Sequence, residues 1–223
     1  MALLPFIGKN YIAPKGSGWP YIKYRALRPV LKGYYRIPRK FSSEKQPWLS
    51  PESIALINDY LKPNMKGFEW GSGTSTLYFS KRLGQLTSIE HHHGWYLQVK
   101  KWLQEKGQKN VDLRYTEVNY PEHDNKAGDG YKKAITAEQK TAYTAYANAI
   151  ASFEENSLDF VLVDGRSRVA CGLAAINKVK PGGLLVLDNA ERERYNPLKE
   201  ALKGWNNIYT TNGLSDTVLY FKN

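Results

Sequence analysis

The chain has 223 residues, 42% of them hydrophobic, a formal net charge of +11 and one cysteine, Cys171. That size and composition describe one folded domain with an appendage, and exclude two large domains or a disordered chain. A lone cysteine excludes an intramolecular disulfide framework, no apolar run is long enough to span a membrane, and the opening MALLPFIGKNY does not read as a secretory signal, so the expected setting is cytoplasmic.

The charge is uneven. Residues 1–48 hold ten Lys and Arg against one acid, Glu44, whereas residues 49–223 hold 22 against 20. The first segment, which contains GSGWPYIKYRALRPVLKGYYRIPRK, lacks sustained periodicity and reads as an extension that wraps or docks. The expected division is a basic aromatic extension over 1–48 and a single domain over 49–223. Within residues 9–45, Lys and Arg interleave with Tyr, Trp and Phe. Three readings fit that pattern: contact with the phosphates and bases of nucleic acid, attachment to an anionic membrane surface as a peripheral protein, or an arm that packs on the domain with its charged heads in water. The absence of a recognisable RNA-binding motif puts the packing arm first.

The first helix is signalled by SPESIALINDYL, with Ser50 as N-cap, Pro51 at the first helical position, and Ile54, Ile57 and Leu61 on one face. From Gly67 onward strands and helices alternate. GFEWG, LTSIEH, VDLRYTEV, LDFVLVDG and GGLLVLDN read as strands, with helices expected over Thr74–Leu83, Gly94–Lys106, Thr141–Glu155 and Arg168–Val179. The nearly continuous apolar runs near 160 and 185 suit central parallel strands covered on both faces. WNNIYTTNGLSDTVLYFKN reads as two strands joined by a turn around Asn212-Gly213. The expected fold class is α/β: a doubly wound, Rossmann-like sheet, mostly parallel and closed by a C-terminal antiparallel hairpin. A long polar connection, Asn119–Lys140, is expected over the ligand crevice at the strands' carboxyl ends.

FEWGSGTST carries the most chemistry. Gly71 and Gly73 follow a strand and open a helix, so their backbone can approach a ligand, and Ser72, Thr74 and Ser75 add hydroxyls there. A dinucleotide fingerprint would need a third glycine at position 76, which is Thr76, so a pyrophosphate-bearing cofactor is disfavoured. Glu69, two residues before Gly71, would repel phosphate but attract an amino group. Glu90 ends the next strand, where a carboxylate can bind both ribose hydroxyls. A ligand carrying an ammonium, a carboxylate and a nucleoside without phosphates matches S-adenosyl-L-methionine.

On these residues the chain resembles the class I S-adenosylmethionine-dependent methyltransferases over roughly residues 50–223. EWGSGTS matches the acidic glycine loop, SIEHH the ribose-binding acid, DFVLVDG the fourth-strand motif ending in Asp164, and KPGGLLVLDN the segment leading into the fifth strand. The resemblance implies a methyltransferase whose cofactor is held by Glu69, Gly71, Ser72, Gly73, Ser75, Glu90, His91 and Asp164. Catalysis would fall to Asp164, Arg166 and Asp188, and the acceptor would be an oxygen of a small-molecule or glycan-type substrate. RNA methylation through the basic arm and non-catalytic nucleoside binding on the same fold are the alternatives.

Methyl transfer is an in-line displacement, so the protein mainly holds the nucleophile and takes its proton where needed. Arg166 or Arg168 could clamp an anionic acceptor, against the ordinary alternative of a solvated helix start for Arg168 and surface pairing for Arg192 and Arg194. Asp164 with Asp188 and Asn189 also resembles the oxygen set of cation-dependent O-methyltransferases, which hold a magnesium-like ion (Mg²⁺). That family's lysine after the first aspartate is missing here, which leaves strand capping and pocket shaping as the other reading. His91, His92 and His93 cannot all face one ion from regular structure, so a turn beside the adenine is expected. His123 is the candidate base in the long loop. Trp95 and Tyr96 could stack near the adenine, with helix packing the first expectation for both, and Cys171 is expected in the core.

Overall fold

The structure is a computed structural model that describes residues 19, 26, 27, 30, 33, 44–118, 136–212 and 215–223. The first full helix, α1 (Pro51–Tyr60), starts as the sequence dictates: the Ser50 hydroxyl accepts the Ser53 N–H at 3.2 Å, and Pro51 supplies a preset φ where no donor is needed. Ile54 and Ile57 are buried on its inner face.

β1 (Lys66–Trp70), α2 (Thr74–Ser80), β2 (Gln85–Glu90), α3 (His93–Glu105) and β3 (Val111–Tyr115) build the first half. The second half begins with α4 (Ala137–Ala142) and α5 (Thr144–Ala147), followed by a 3₁₀ turn over Asn148–Ile150. β4 (Leu158–Val163), α6 (Arg168–Ala175), β5 (Val179–Asp188), a 3₁₀ turn over Glu193–Tyr195, α7 (Asn196–Ala201), β6 (Asn206–Thr211) and β7 (Asp216–Phe221) complete it. The sheet order is β3-β2-β1-β4-β5-β7-β6. β1 to β5 pair in parallel, and β7 inserts antiparallel between β5 and β6. The order reverses between β1 and β4, which places the crevice of an open α/β sheet outside the carboxyl ends of those strands.

The period-2 alternation of the central strands fills both faces. Val161, Val163, Leu185 and Leu187 face one core with Phe68, Trp70 and Tyr146, while Phe160, Leu162, Leu184 and Val186 face the other with Ile57 and Phe79. The doubly wound, mostly parallel sheet with its C-terminal hairpin is the fold expected from the sequence.

Several boundaries differ. The helix expected over Thr141–Glu155 starts earlier and breaks into α4, α5 and the 3₁₀ turn. Thr141 and Thr144 each turn their hydroxyl onto the carbonyl four residues back, at 3.1 and 3.0 Å, a contact that bends helices. α2 and α6 stop at Ser80 and Ala175, short of Leu83 and Val179, and Val179 instead opens β5, longer than the segment read from the glycines. Of the 119–140 loop only residues 136–140 are described, so His123 lies outside the described residues, as does Gly213 of the C-terminal turn. Among the described residues no helix is long and apolar enough to cross a membrane.

Residues 44–49 lie on the domain. Glu44 bridges Lys81 (3.1 Å) and Arg82 (3.0 Å), Lys45 sits 4.1 Å from the Trp102 ring centre, the Gln46 carbonyl accepts the Thr74 hydroxyl at 3.1 Å, and Leu49 is buried.

Candidate active site

Alternation along β1 turns Phe68 and Trp70 to one face and Glu69 to the other, under α2. The β1–β2 register pairs Glu69 with Ser88, whose hydroxyl donates to Glu69 Oε1 at 2.7 Å. Thr76 Oγ1 donates to the same oxygen and accepts the Gly73 N–H at 2.8 Å, tying the acid to the glycine turn. Glu69 Oε2 is buried and has no hydrogen-bond partner among the described residues. Burial pushes the carboxyl up to about 7, against the pull of the Thr76, Ser88 and Ser75 hydroxyls, though Ser75 makes no bond of good geometry to either oxygen. Thr76, read in the sequence only as a missing glycine, and Ser88, not singled out at all, are therefore parts of the site. The strand pairing that brings Ser88 to Glu69 has no local sequence signal.

The glycine turn closes against the end of β4. Gly71 has φ +93, and a Cβ there would lie 2.8 Å from the Gly165 backbone, so its glycine serves close chain packing. Gly73 is different: among the described residues a Cβ would meet only Trp95, at an ordinary 3.7 Å, so none of them demands a glycine. Its bare backbone leaves room for a ligand. Ser72 is held by its hydroxyl to Ser88 (2.6 Å) and by its carbonyl to Trp95 Nε1 (2.6 Å). Trp95 thus braces the turn, a more specific role than general helix packing. Ser75 is buried on α2 beneath the turn.

At the end of β2, Glu90 Oε1 accepts the N–H groups of His91 and His92, each at 2.8 Å, and the His91 Nδ1 lies 3.0 Å away. The histidine run separates into three tasks, none of them shared. His91 packs between Tyr143 and Tyr146, with ring centres 5.7 and 5.4 Å away. His92 caps α3 by accepting the Trp95 N–H, and His93 meets Tyr115 edge-on. Among the described residues no group of three or more His, Cys, Asp or Glu is placed to hold a metal ion.

The acceptor side is built by strand register. Val163 pairs with Leu187, so the next residues, Asp164 and Asp188, leave β4 and β5 side by side. Asp188 Oδ1 accepts the Thr217 hydroxyl of β7 at 3.1 Å. Arg168, the first residue of α6, returns to the strand ends with its side chain buried. Its Nη2 donates to Asp164 Oδ1 and to the Asp164 carbonyl, both at 2.7 Å, and its Nε to the Gly165 carbonyl at 3.0 Å. Its Nη1 donates to the Asp188 carbonyl and reaches Asp188 Oδ2 at 3.4 Å. This corrects the expectation for Arg168: it is neither a solvated helix start nor an open clamp, because its guanidinium is spent on the strand ends. Burial and the neighbouring Asp188 push the Asp164 carboxyl well up, and the acids raise Arg168 further above its ordinary range. Arg166 is half-buried beside them. Tyr195 accepts from Arg192 Nη1 (3.3 Å) and Arg194 Nη2 (3.2 Å), so these two arginines line a buried phenol rather than pair only at the surface. Cys171 is buried in the core as expected.

Fold and crevice together define an α/β protein with a doubly wound, mostly parallel sheet that opens a crevice at the carboxyl ends of β1 and β4. Solved structures bear this out at the level of fold. A methyltransferase-like protein from Silicibacter pomeroyi superposes with a TM-score of 0.59 at 21% identity, over 79% of this chain and 88% of its own. A caffeoyl-CoA O-methyltransferase-like protein from Staphylococcus aureus gives 0.55 at 12% identity, over 91% and 100%. A candidate methyltransferase from Streptococcus mutans, solved in complex with SAH (S-adenosylhomocysteine), gives 0.52 at 12%, over 76% and 97%. No family profile and no curated protein sequence matches the chain. The chain has the class I S-adenosylmethionine-dependent methyltransferase fold.

Proposed function

We propose that this protein is an S-adenosylmethionine-dependent methyltransferase acting on an oxygen of a small-molecule or glycan-type acceptor. The observation that carries the cofactor assignment is Glu69: a buried carboxylate oxygen that makes no hydrogen bond among the described residues, set beneath a glycine turn, is a poor arrangement for an empty protein and a good one for a ligand's ammonium group. Glu90, at the end of the adjacent strand, would hold the ribose hydroxyls, with Gly71, Ser72 and Gly73 around the amino-acid end and His91 and Ser75 supporting from behind. The cofactor supplies a methyl group on a positively charged sulfur, open to in-line displacement.

The chain's own residues do the rest. Asp164 stands at the crevice with Oδ1 held by Arg168, which fixes the carboxyl's orientation, and it would take the proton of an acceptor hydroxyl. Asp188 is fixed by Thr217 and Arg168 and shapes the acceptor floor. Arg166, half-buried beside them, would meet negative charge on the acceptor.

The test is calorimetry with S-adenosylhomocysteine, then an assay for its release from S-adenosylmethionine over a panel of hydroxylated acceptors. Binding with turnover supports the reading, while binding without turnover on every acceptor points to a nucleoside-binding protein. Glu90→Gln keeps an oxygen for the His91 and His92 amides but loses the charge, and it should weaken binding by about 1–3 kcal/mol, the cost of losing a charged hydrogen-bond partner. Unchanged affinity in that variant would remove Glu90 from the ribose site.

A further inference from the structure

Asp164, Asp188 and Asn189 leave adjacent strand ends together, and such an oxygen set would ordinarily invite a hard divalent cation. We propose that the Arg168 guanidinium is a built-in cation that replaces a divalent metal at the carboxyl ends of β4 and β5, so that the acceptor side of the crevice works metal-free.

Arg168 has five N–H donors, and five oxygens surround them: the carbonyls of Asp164, Gly165 and Asp188, with Asp164 Oδ1 and Asp188 Oδ2. Thr217 takes Asp188 Oδ1, so three of the four carboxylate oxygens are already engaged. A magnesium-sized ion needs a near-octahedral shell of oxygens at about 2.0–2.1 Å. It would have to strip these oxygens from the arginine and then sit against a buried positive charge. The backbone is shaped for the arginine too. Ser167, immediately before it, holds the left-handed conformation at φ 48 and ψ 37, which a non-glycine residue adopts only where surroundings impose it. That turn carries the chain from β4 into α6 and sends Arg168 back over the strand ends.

The inference concerns the acceptor side of the site proposed above, and the two can fail separately. S-adenosylhomocysteine calorimetry reports the cofactor reading, whereas a manganese titration followed by electron paramagnetic resonance reports this one. With the full chain, saturated with S-adenosylhomocysteine where it binds, the free Mn²⁺ signal should equal the Mn²⁺ added. One bound equivalent that disappears in both Asp164→Asn and Asp188→Asn would overturn the proposal. One equivalent that survives both substitutions lies elsewhere on the chain and leaves these carboxylates metal-free, as proposed. Arg168→Met, which vacates the site, should bind Mn²⁺ at least tenfold more tightly than the wild type. A folded Arg168→Met protein with no such gain would show that the arginine is not what excludes the ion. If that variant does not fold, the wild-type titration still decides.

Discussion

Glu69 ties its own titration to the ligand. In the unfolded chain its carboxyl ionises near 4.5, and in the fold near 7. Between those values the folded state holds the extra proton, so raising pH through this window costs stability. Once the group is fully ionised the cost is about 3 kcal/mol by the ordinary conversion from pKa. Glu69→Gln should therefore stabilise the ligand-free protein at pH 8 by about 1–3 kcal/mol and much less below pH 5, as read from chemical denaturation at the two pH values. The same substitution should weaken S-adenosylhomocysteine binding and flatten its loss below pH 7, because a neutral amide cannot attract an ammonium. A stability gain that is the same at both pH values would mean that Glu69 does not ionise in the fold. At this scale the sequence was legible where one residue type has one plausible chemistry: Glu69, Glu90, Asp164 and Asp188 all stand at strand ends or beside the glycine turn. It was not legible for Thr76, Ser88 and Arg168, whose roles depend on strand register and on a backbone turn, and their residue types are equally at home on a surface.

The elements meet most tightly where the turn after β1 touches the turn after β4. A Cβ on Gly165 would lie 2.0 Å from Tyr146 Oη and 2.9 Å from the Gly71 nitrogen, and Gly71 faces Gly165 with an equally close limit. Two glycines back to back let the strand ends come together and set the spacing between the glycine turn and Asp164. Gly165→Ala should cost about 1–3 kcal/mol, the usual range for overpacking, and should lower cofactor affinity by displacing the turn. Tyr146→Phe removes the atom in closest conflict, so the double variant should recover part of that loss while the Gly71 contact remains. Thermal melts of the two single variants and the double variant measure the coupling, and strictly additive losses would show that Tyr146 is not what confines Gly165. The strands followed from apolar runs and glycine punctuation, which act locally. Helix ends did not: nothing near Thr141 shows that its hydroxyl will turn onto the Ala137 carbonyl, or that Val179 will leave α6 for β5, since those outcomes are decided by packing.

For the whole molecule, the distribution of charge separates two kinds of binding. Residues 1–48 carry most of the net +11, while the domain that follows is close to neutral. Residues 44–49 dock on α2 and α3 through Glu44, Lys45 and Gln46, close to the glycine turn, which is as far as the packing-arm reading can be followed in the described residues. A basic segment without a base-reading motif attracts polyanions through released counterions, a force that falls steeply with salt. A carboxylate buried under the glycine turn is screened far less. The full chain should therefore retain single-stranded RNA at 50 mM salt without sequence preference and lose it by about 200 mM, in filter binding across a salt series. Over the same range its S-adenosylhomocysteine affinity should stay within about twofold, because the contact that carries it lies out of reach of the ion atmosphere. RNA retention that persists at high salt, or that prefers one sequence, would favour a nucleic-acid acceptor over a small one. A cofactor affinity that fell in step with RNA retention would mean that the basic segment reaches into the crevice, and the arm would then belong to the active site rather than to the surface around it.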